Sequence, residues 1–186
     1  FVLLDRWSAR QEQAVQAGVL PPDPPPVTEQ EEAATMLHDH VIIIGYGQVG
    51  SLIGAGLQQA GLPYLVVEPQ AERIDALRAG GIEVFLGTSG EPELLKRLNL
   101  AQAKVIVSTL TDPFETGHVI EHARSVNPSI RVIARATNTD SVAYLKSLGA
   151  DAVFTGQEEI AQSMLASLFE GNRQTDASQH KGDSAA

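Results

Sequence analysis

The sequence contains no cysteine, which excludes disulfide bonds, thiolate-bound zinc and a cysteine nucleophile. It also has no apolar run that approaches the roughly 18 to 20 residues needed to cross a bilayer, so these residues alone are not expected to span a membrane. Basic residues are few: 13 lysines and arginines stand against 23 aspartates and glutamates, for a net charge of −10. Because an acidic surface repels phosphate backbones, we do not expect nucleic acid as a partner.

The length of 186 residues suits one α/β domain with attached segments and is too short for two full domains. The chain begins with Phe1 rather than methionine, and an apolar patch at residues 1–4 precedes arginines and a tryptophan. This order is typical of the cytoplasmic end of a transmembrane helix. We therefore expect a fragment of a longer protein, with an amphipathic helix docked on the domain as the alternative.

A proline-rich stretch, Pro21 to Pro26, separates this segment from the rest of the chain. It is incompatible with a helix or a central strand and predicts a semi-rigid spacer, with an SH3-type ligand as the alternative. The acidic segment Thr28 to Leu37 is predicted to be a short helix. We divide the chain into an N-terminal helical and linker segment (1–38), one folded domain (39–171) and a disordered polar tail (172–186).

From residue 40 onward, short apolar runs alternate with segments of helical periodicity. The predicted strands are rich in valine and isoleucine, as strands buried on both faces require. The pattern predicts an α/β fold, a doubly wound six-stranded parallel Rossmann sheet, whose final helix ends at Gly171. The predicted strands are 41–44, 64–68, 82–87, 104–109, 130–135 and 152–154.

The first predicted strand runs into a G-x-G-x-x-G loop in the stretch HVIIIGYGQVG. The first glycine allows a tight turn, the second lets the backbone approach a phosphate, and the third lets strand and helix pack closely. The amides at the start of the following helix then face an anion at its positive end. We assign Gly45, Tyr46, Gly47, Gln48, Val49 and Gly50 to this predicted phosphate-binding loop.

Glu68 ends the second strand, eighteen residues after Gly50, where a carboxylate meets the hydroxyls of an adenosine ribose. A carboxylate accepts hydrogen bonds from two adjacent hydroxyls and repels a 2′-phosphate, so NADP is disfavoured. Pro69 follows directly and is assigned to the same site. These residues predict an adenine nucleotide and leave NAD, AMP, ADP and ATP open.

The ends of the other strands supply further candidates, because ligands bind beyond the carboxyl ends of parallel strands. Gly87 and Thr88 end the third strand, and Thr109 ends the fourth. Arg135 ends the fifth and is the only cation so placed. A phosphate contact and a structural salt bridge are both open for it.

Motifs of catalysis are missing. A hydride-transfer enzyme needs a second region that holds its substrate, and only a polar tail follows residue 171. The sequence has no G-x-S-x-G, no H-E-x-x-H and no P-loop lysine. His118 and His122 have the spacing of metal ligands but lack a third ligand nearby, so we expect neither a metal nor an enzyme.

Taken together, the motifs resemble the RCK domain, also called the TrkA-N or KTN domain. The matching stretches are HVIIIGYGQVG, YLVVEPQAERIDALRAGGIEVFLG, VIVSTLTDP, NPSIRVIARA and LGADAVF, within about residues 39 to 170. The family comprises cytosolic nucleotide-binding domains that regulate bacterial K⁺ channels, K⁺ transporters and Kef-type cation:proton antiporters. The stretch GADAVFTGQEEIAQSML is most similar to the antiporter branch.

The resemblance implies a homodimer or larger ring and control of transport by a bound nucleotide. Gly45, Gly47, Gly50 and Glu68 match the family's binding pattern. Where the family usually has Gly-Asp-Ala-Thr after the third strand, residues 87–90 are GTSG, so the contacts of that aspartate are not expected here. The N-terminal apolar residues would end a membrane helix and the prolines would form the tether, which places the domain at the cytoplasmic face of the bacterial inner membrane.

Two functions follow from this reading. A regulatory domain of a K⁺-efflux cation:proton antiporter would bind an adenine nucleotide, AMP or NAD first, and pass a change in its dimer to the membrane domain of the same or a partner polypeptide. An NAD-dependent oxidoreductase, or its cofactor-binding half, is the alternative. A free-standing subunit that docks on a separate transporter is a variant of the first.

Overall fold

The computed structural model describes residues 34–179, with side chains as far as Phe169. Strands and helices alternate along this range, and no helix in it combines the length and apolar content of a membrane span. The strands are β1 (Val41–Ile44), β2 (Tyr64–Glu68), β3 (Glu83–Leu86), β4 (Val105–Ser108), β5 (Arg131–Ala136) and β6 (Ala152–Thr155). The helices are α1 (Gln48–Gln59), α2 (Ala71–Ala79), α3 (Pro92–Arg97), α4 (Pro113–Val126), α5 (Thr139–Ser147) and α6 (Gly156–Gln179), and a 3₁₀ turn covers Leu100–Gln102.

The six strands of this range are all parallel and form one sheet in the order β3-β2-β1-β4-β5-β6. The predicted doubly wound Rossmann sheet is confirmed. The chain crosses from β3 to the other side of β1, so the strand order reverses between β1 and β4. At such a switch point a crevice opens at the carboxyl ends of the strands, and ligands of open α/β sheets bind there.

The sheet has a hydrophobic core on each face. Because successive strand residues point to opposite faces, Ile42 and Ile43 belong to different cores. Ile42 packs in the larger core with Ile120 of α4, and Ile43 packs in the smaller one with Ile74 of α2. Burial on both faces explains why β1 consists only of valine and isoleucine.

The segment before β1 differs from its prediction. A helix was expected over Thr28 to Leu37, but the described part, residues 34–37, is not helical. The Thr35 amide donates to the Arg97 carbonyl oxygen at 2.9 Å, and the Asn99 side chain donates to the Leu37 carbonyl oxygen at 3.0 Å. The backbone finds its partners on the domain instead of within a helix.

The last helix is longer than predicted. We expected it to end at Gly171, but α6 continues through this glycine to Gln179. A glycine costs a helix about 1 kcal/mol relative to alanine and does not by itself end it, and no proline follows before residue 179. The predicted helix end is therefore wrong. The N-terminal segment up to residue 33 and the tail from residue 180 lie outside the described residues.

His40 is a fully buried titratable side chain directly before β1. Its Nε2 lies 3.0 Å from the Leu98 carbonyl oxygen, while Nδ1 has no hydrogen-bond partner in the described range. The neutral ring with its proton on Nε2 satisfies the carbonyl. Burial lowers the pKa of His40 and outweighs the Leu98 carbonyl and the carboxylates of Glu83 and Asp39, which act in the opposite direction; His38 adds to the lowering.

We expect the protein to lose stability as the pH falls through the range where an unfolded histidine titrates, about pH 6.5. The pKa of His40 is lower in the folded state, so in this range the unfolded chain binds a proton that the folded protein does not, and the free energy of unfolding decreases. Urea titrations at several pH values measure the slope. His40→Leu reduces the slope, whereas His118→Leu, at an exposed position, retains it. An unchanged slope in His40→Leu would contradict this assignment.

Candidate functional site

The carboxyl ends of the central strands surround a cleft of about 330 Å³ at the switch point of the sheet. Most of the residues predicted to bind a nucleotide line it, and three further residues join them. The predicted ones are Gly45, Tyr46, Gly47, Gln48, Val49, Glu68, Pro69, Thr109 and Arg135, and the added ones are Arg73, Leu110 and Thr111.

The turn from β1 into α1 depends on two glycines. Gly45 has a φ of +84°, in the left-handed region that favours glycine. Gly50 is buried behind the loop, and a Cβ on it would collide with the carbonyl oxygen of Gly45. The two glycines let α1 start directly against the end of β1, which brings its first turn to the cleft.

The first turn of α1 provides backbone donors. The helix begins at Gln48 with Gly47 as its N-cap, and no side chain caps it. The first turn also carries no acidic residue. The amides of a first turn have no acceptor within the helix, and they lie at the positive end of its dipole. The cleft lined by Gly47, Gln48 and Val49 is therefore suited to an anion.

Glu68 lines the cleft at the end of β2 and is 2% exposed. Two backbone amides hold its carboxylate: the Tyr46 amide donates to Oε2 at 2.8 Å and the Gln70 amide donates to Oε1 at 3.1 Å. The Arg73 Nη1 lies 3.6 Å from Oε2. Each carboxylate oxygen has a second lone pair. Glu68 can thus accept further hydrogen bonds, as from ribose hydroxyls, while it holds the glycine loop.

Arg135 brings a cation into the cleft from β5. Its guanidinium forms no ion pair or hydrogen bond with any residue of the described range. The sequence left a phosphate contact and a structural salt bridge open for this arginine. No salt bridge is formed within the described range. The unpaired guanidinium remains available for an anionic ligand.

The hydroxyl of Thr109 serves the glycine turn. Its Oγ1 donates to the carbonyl oxygen of Gly45 at 2.9 Å and to that of Ile44 at 3.2 Å. A hydroxyl has one proton, so none is left for a phosphate oxygen while these bonds persist. Thr109 lines the cleft as predicted, but its side chain stabilises the turn.

Gly87 and Thr88 do not line the cleft. The Thr88 amide and hydroxyl donate to the Glu91 carboxylate at 3.1 and 3.0 Å, and the Ser89 hydroxyl donates to the Glu115 carboxylate at 2.7 Å. The loop that departs from the family pattern is thus held by side chains of its own domain. The structure does not bring these two predicted residues to the nine that line the cleft, and Gly50 is buried behind the glycine loop.

The two histidines with metal-like spacing lie on α4. His118 is 74% exposed, and its Nδ1 lies 3.9 Å from the carboxylate of Glu121. No group of three or more metal-binding side chains occurs in the described part of the chain. His122 and His118 therefore have no third ligand there, and the absence of a metal stays a prediction.

An apolar groove of about 250 Å³ adjoins the cleft. It lies beside α1 on the sheet face of Val107 and Ile133, which pair in register across β4 and β5. Val49, Thr109 and Arg135 line both the cleft and the groove. The cleft and the groove therefore share part of their wall.

Gly47→Ala is expected to separate ligand binding from folding. A Cβ on Gly47 meets nothing within 4 Å and the φ of −73° suits alanine, so we expect the free energy of unfolding to change by less than about 1 kcal/mol. In Rossmann domains the second glycine of the loop is where a phosphate approaches the backbone, so we expect the added methyl group to lower nucleotide affinity by about 10-fold. Thermal unfolding and calorimetric titration measure the two effects. Unchanged affinity would show that no phosphate approaches Gly47.

Three residues that line the cleft were not predicted from the sequence. Leu110 and Thr111 simply extend the loop after Thr109. Arg73 lies in the first turn of α2, which begins three residues after β2 ends. A helix that starts so soon after a strand directs its first turn back to the strand end, and this spacing is the signal that points to Arg73.

The strand order, the glycine turn into α1 and the acidic residue at the end of β2 define a Rossmann-type α/β domain with its cleft at the switch point. The sequence assigns the domain to one family within this fold. Residues 41–156 match the TrkA-N domain, and the chain belongs to this family. The resemblance found in the motifs is confirmed.

The chain is similar to much longer proteins. It is 33% identical over 169 residues to YbaL of Escherichia coli (strain K12), whose name describes a cation/proton antiporter, and the match covers 89% of this chain and 29% of YbaL. It is 32% identical over 117 residues to KefB of Alkalimonas amylolytica, whose name describes a K⁺ efflux antiporter, with 63% of this chain and 18% of KefB covered. The chain thus spans less than a third of these relatives.

Solved structures show the same fold. The crystal structure of the TrkA-N domain of inner membrane protein ybaL from Escherichia coli is 37% identical with a TM-score of 0.69, and the match covers 72% of this chain and 99% of that one. The Shewanella denitrificans Kef CTD in its AMP-bound form is 23% identical with a TM-score of 0.60, and the match covers 76% and 87%. At this identity the second likeness concerns the fold alone.

Proposed function

We propose that this chain is the cytosolic regulatory domain of a bacterial cation:proton antiporter and that its cleft binds an adenine nucleotide. The observation that carries the proposal is the pairing of two kinds of group in one cleft. The uncapped start of α1 and Arg135, whose side chain has no partner among residues 34–169, suit a phosphate, and the carboxylate of Glu68 suits a ribose diol. A nucleotide carries both of the groups that these residues suit, a phosphate and a ribose with two adjacent hydroxyls.

AMP and NAD are the ligands we propose first. Both have an adenosine ribose with free hydroxyls for Glu68 and a phosphate for the glycine loop. NADP is disfavoured because its 2′-phosphate would meet the buried carboxylate. A Kef domain of the same fold is known in an AMP-bound form, which makes AMP a ligand to test first.

We propose binding without turnover. The lining residues of the cleft, all within the described range, include one carboxylate and no histidine. That carboxylate, Glu68, is already engaged with two backbone amides, which suits a binding group better than a proton carrier. An NAD-dependent oxidoreductase is the competing function, and the titration described below distinguishes the two.

The partner that we propose is the membrane transport domain of the same or another polypeptide, at the cytoplasmic face of the inner membrane. The names of the two relatives support a cation/proton antiporter, and that of KefB supports K⁺ as the ion. Both relatives are several times longer than this chain, so they contain regions on which such a domain can act.

We also propose a homodimer in which α6 of one copy covers the apolar groove of the other. Every described residue of α6 up to Phe169 is exposed. Ile160, Met164 and Leu168 form an apolar stripe along it, and Phe154 is 46% exposed in the groove. A twofold exchange buries both stripes in both grooves, and removing this much apolar surface from water drives association.

Because Val49, Thr109 and Arg135 line both cavities, the ligand and the dimer are linked in this proposal. A nucleotide that binds one arrangement of the dimer more tightly shifts the population toward it. The tether then passes this bias to the transport domain. The coupling is reciprocal, so the arrangement of the dimer also changes the affinity for the nucleotide.

Sedimentation velocity tests the dimer. We expect the wild-type chain to sediment as a dimer at micromolar concentration and Leu168→Glu to sediment as a monomer, because the substitution buries an unpaired charge in the interface. Gln162→Glu, an exposed position of α6 away from the apolar stripe, adds the same charge and keeps the dimer. A monomeric wild type, or a dimeric Leu168→Glu, would contradict the proposal.

Calorimetric titration with AMP, ADP, ATP, NAD, NADH and NADPH tests the function. We expect saturable binding of AMP or NAD, the weakest binding for NADPH, and no consumption of NADH when an electron acceptor is added. Oxidation of NADH under these conditions would favour the oxidoreductase. A chain that binds none of the six would refute nucleotide binding.

A further inference from the structure

Tyr46 belongs to the glycine loop and lines the cleft, and its ring packs beneath α1. The ring joins the smaller core with Ile43 and Val66 and lies against Gly54 of α1. A Cβ on Gly54 would collide with the Tyr46 hydroxyl and would lie 2.8 Å from Cε2 and 3.0 Å from Cζ. Gly54 is buried in the middle of a helix, where alanine is the more favourable residue. Its missing side chain forms the seat of the ring.

The backbone of the same residue holds the ribose-binding carboxylate. The Tyr46 amide donates to Glu68 Oε2 at 2.8 Å, and its carbonyl oxygen accepts from Arg73 Nη1 at 3.5 Å. The ring and the backbone amide of Tyr46 are attached to the same Cα. We therefore expect a displaced ring to turn the amide that donates to Glu68.

We propose that Tyr46 is a positioning residue that acts through Glu68, with Gly54 as the seat that fixes its ring. This inference deepens the proposed nucleotide site and rests on it. It makes the fourth glycine of G-Y-G-Q-V-G-S-L-I-G part of the binding machinery, although Gly54 lies outside the cleft.

The phenol of Tyr46 does not titrate under physiological conditions. Burial and, second, the neighbouring Tyr64 phenol raise the pKa of Tyr46 to about 12, so its hydroxyl stays protonated. The shape of the ring carries the effect, and phenylalanine preserves most of that shape. Tyr46→Phe is therefore the conservative variant.

The test compares Tyr46→Ala, Gly54→Ala and their combination with Tyr46→Phe, using two readouts. The first is the ratio of the dissociation constants of 2′-deoxy-AMP and AMP, which reports the ribose contact of Glu68. In the wild type we expect a ratio of about 10 or more, as for a hydrogen bond to a charged group. In Tyr46→Ala and Gly54→Ala we expect this ratio to fall to about 2. In Tyr46→Phe we expect it to stay near the wild-type value. A residue with a merely structural role would weaken both ligands equally.

The second readout needs no ligand. The second measurement follows the backbone amide of residue 46 by NMR and corrects its exchange rate for the type of side chain. We expect exchange to be at least about 10-fold faster in Tyr46→Ala and Gly54→Ala than in the wild type, because this amide loses its buried acceptor. The Val66 amide of β2 serves as the internal control for global unfolding. The double variant exchanges no faster than Tyr46→Ala, since the added methyl group then fills vacated space.

The outcomes separate the two proposals. A wild type that binds no nucleotide refutes the proposed function. The exchange data then still test whether the Tyr46 ring positions its own amide on Glu68. Unchanged exchange of the Tyr46 amide in both single variants overturns the inference, as does an undiminished 2′-deoxy ratio in a chain that binds AMP. Faster exchange together with a lost ratio supports it.

Discussion

Replacing Glu68 with alanine is expected to weaken AMP binding by about 10- to 100-fold. In the proposed complex the substitution removes the acceptor for the ribose hydroxyls. It also leaves the Tyr46 and Gln70 amides without the carboxylate that accepts from them, so the glycine loop loses two hydrogen bonds that hold it in place. Calorimetric titration of the wild type and the variant measures the effect.

Glu72→Ala is the matched control for this experiment. Glu72 is exposed in the first turn of α2, close to Glu68 in the chain but absent from the cleft lining, and its loss changes the net charge equally. We expect it to bind AMP within about 2-fold of the wild type, as for other surface substitutions. Equal losses in the two variants would mean that long-range charge, rather than the ribose contact, determines affinity.

Replacing Gly50 with alanine is expected to destabilise the fold by about 2 to 4 kcal/mol. The new Cβ collides with the carbonyl oxygen of Gly45, which is backbone and cannot rotate away as a side chain would. Either α1 moves away from β1 or the glycine turn opens, and both changes disturb the cleft. Chemical denaturation measures the loss, and nucleotide affinity falls with it.

Gly56→Ala is the control on the same helix. Gly56 is exposed, a Cβ there meets nothing within 4 Å, and alanine is favoured over glycine in a helix. We expect it to stabilise the protein by about 0.5 to 1 kcal/mol. A Gly50→Ala variant that is as stable as the wild type would show that α1 does not pack on β1 as the structure has it.

The sheet was predictable because its signals are local. A run such as Val41–Ile44 followed by a glycine indicates a strand buried on both faces, and alternation with helical periodicity implies parallel order. The structure shifts the ends of several strands by one residue: β3 runs over 83–86 where 82–87 was predicted. End residues depend on hydrogen bonds to neighbouring strands, which the sequence does not display.

The core of the cleft was predictable for a similar reason. Gly45 and Gly50 follow from a known turn, and Glu68 from its place at the end of β2. The role of Thr109 was not, because its hydroxyl bonds to a carbonyl more than sixty residues away. Such a contact appears only once β1 and β4 lie side by side.

Gly87 and Thr88 were assigned to the site because they end a strand; the structure places them outside the lining of the cleft, and their contact with a ligand stays a prediction. The crevice opens where the strand order reverses, between β1 and β4, whereas β3 is the edge strand on one side. Residues that end β3 therefore lie too far from the switch point to line the cleft. The order of the strands, which the sequence did not establish, decides which strand ends contribute.

The apolar stripe of α6 could be predicted, but not its exposure. Ile160, Met164 and Leu168 have the spacing of a helix that packs on a core, yet all three are more than 60% exposed. A pattern of this kind predicts that a surface is covered and does not say by what. In our proposal the cover is a second copy of the chain.

A crystal structure of the chain grown with AMP tests the central claim most directly. The account predicts the phosphate against the amides that begin α1 and beside Arg135, with the ribose hydroxyls on the carboxylate of Glu68. A nucleotide bound in the apolar groove with the cleft empty, or an AMP-saturated crystal without nucleotide in the cleft, would contradict it.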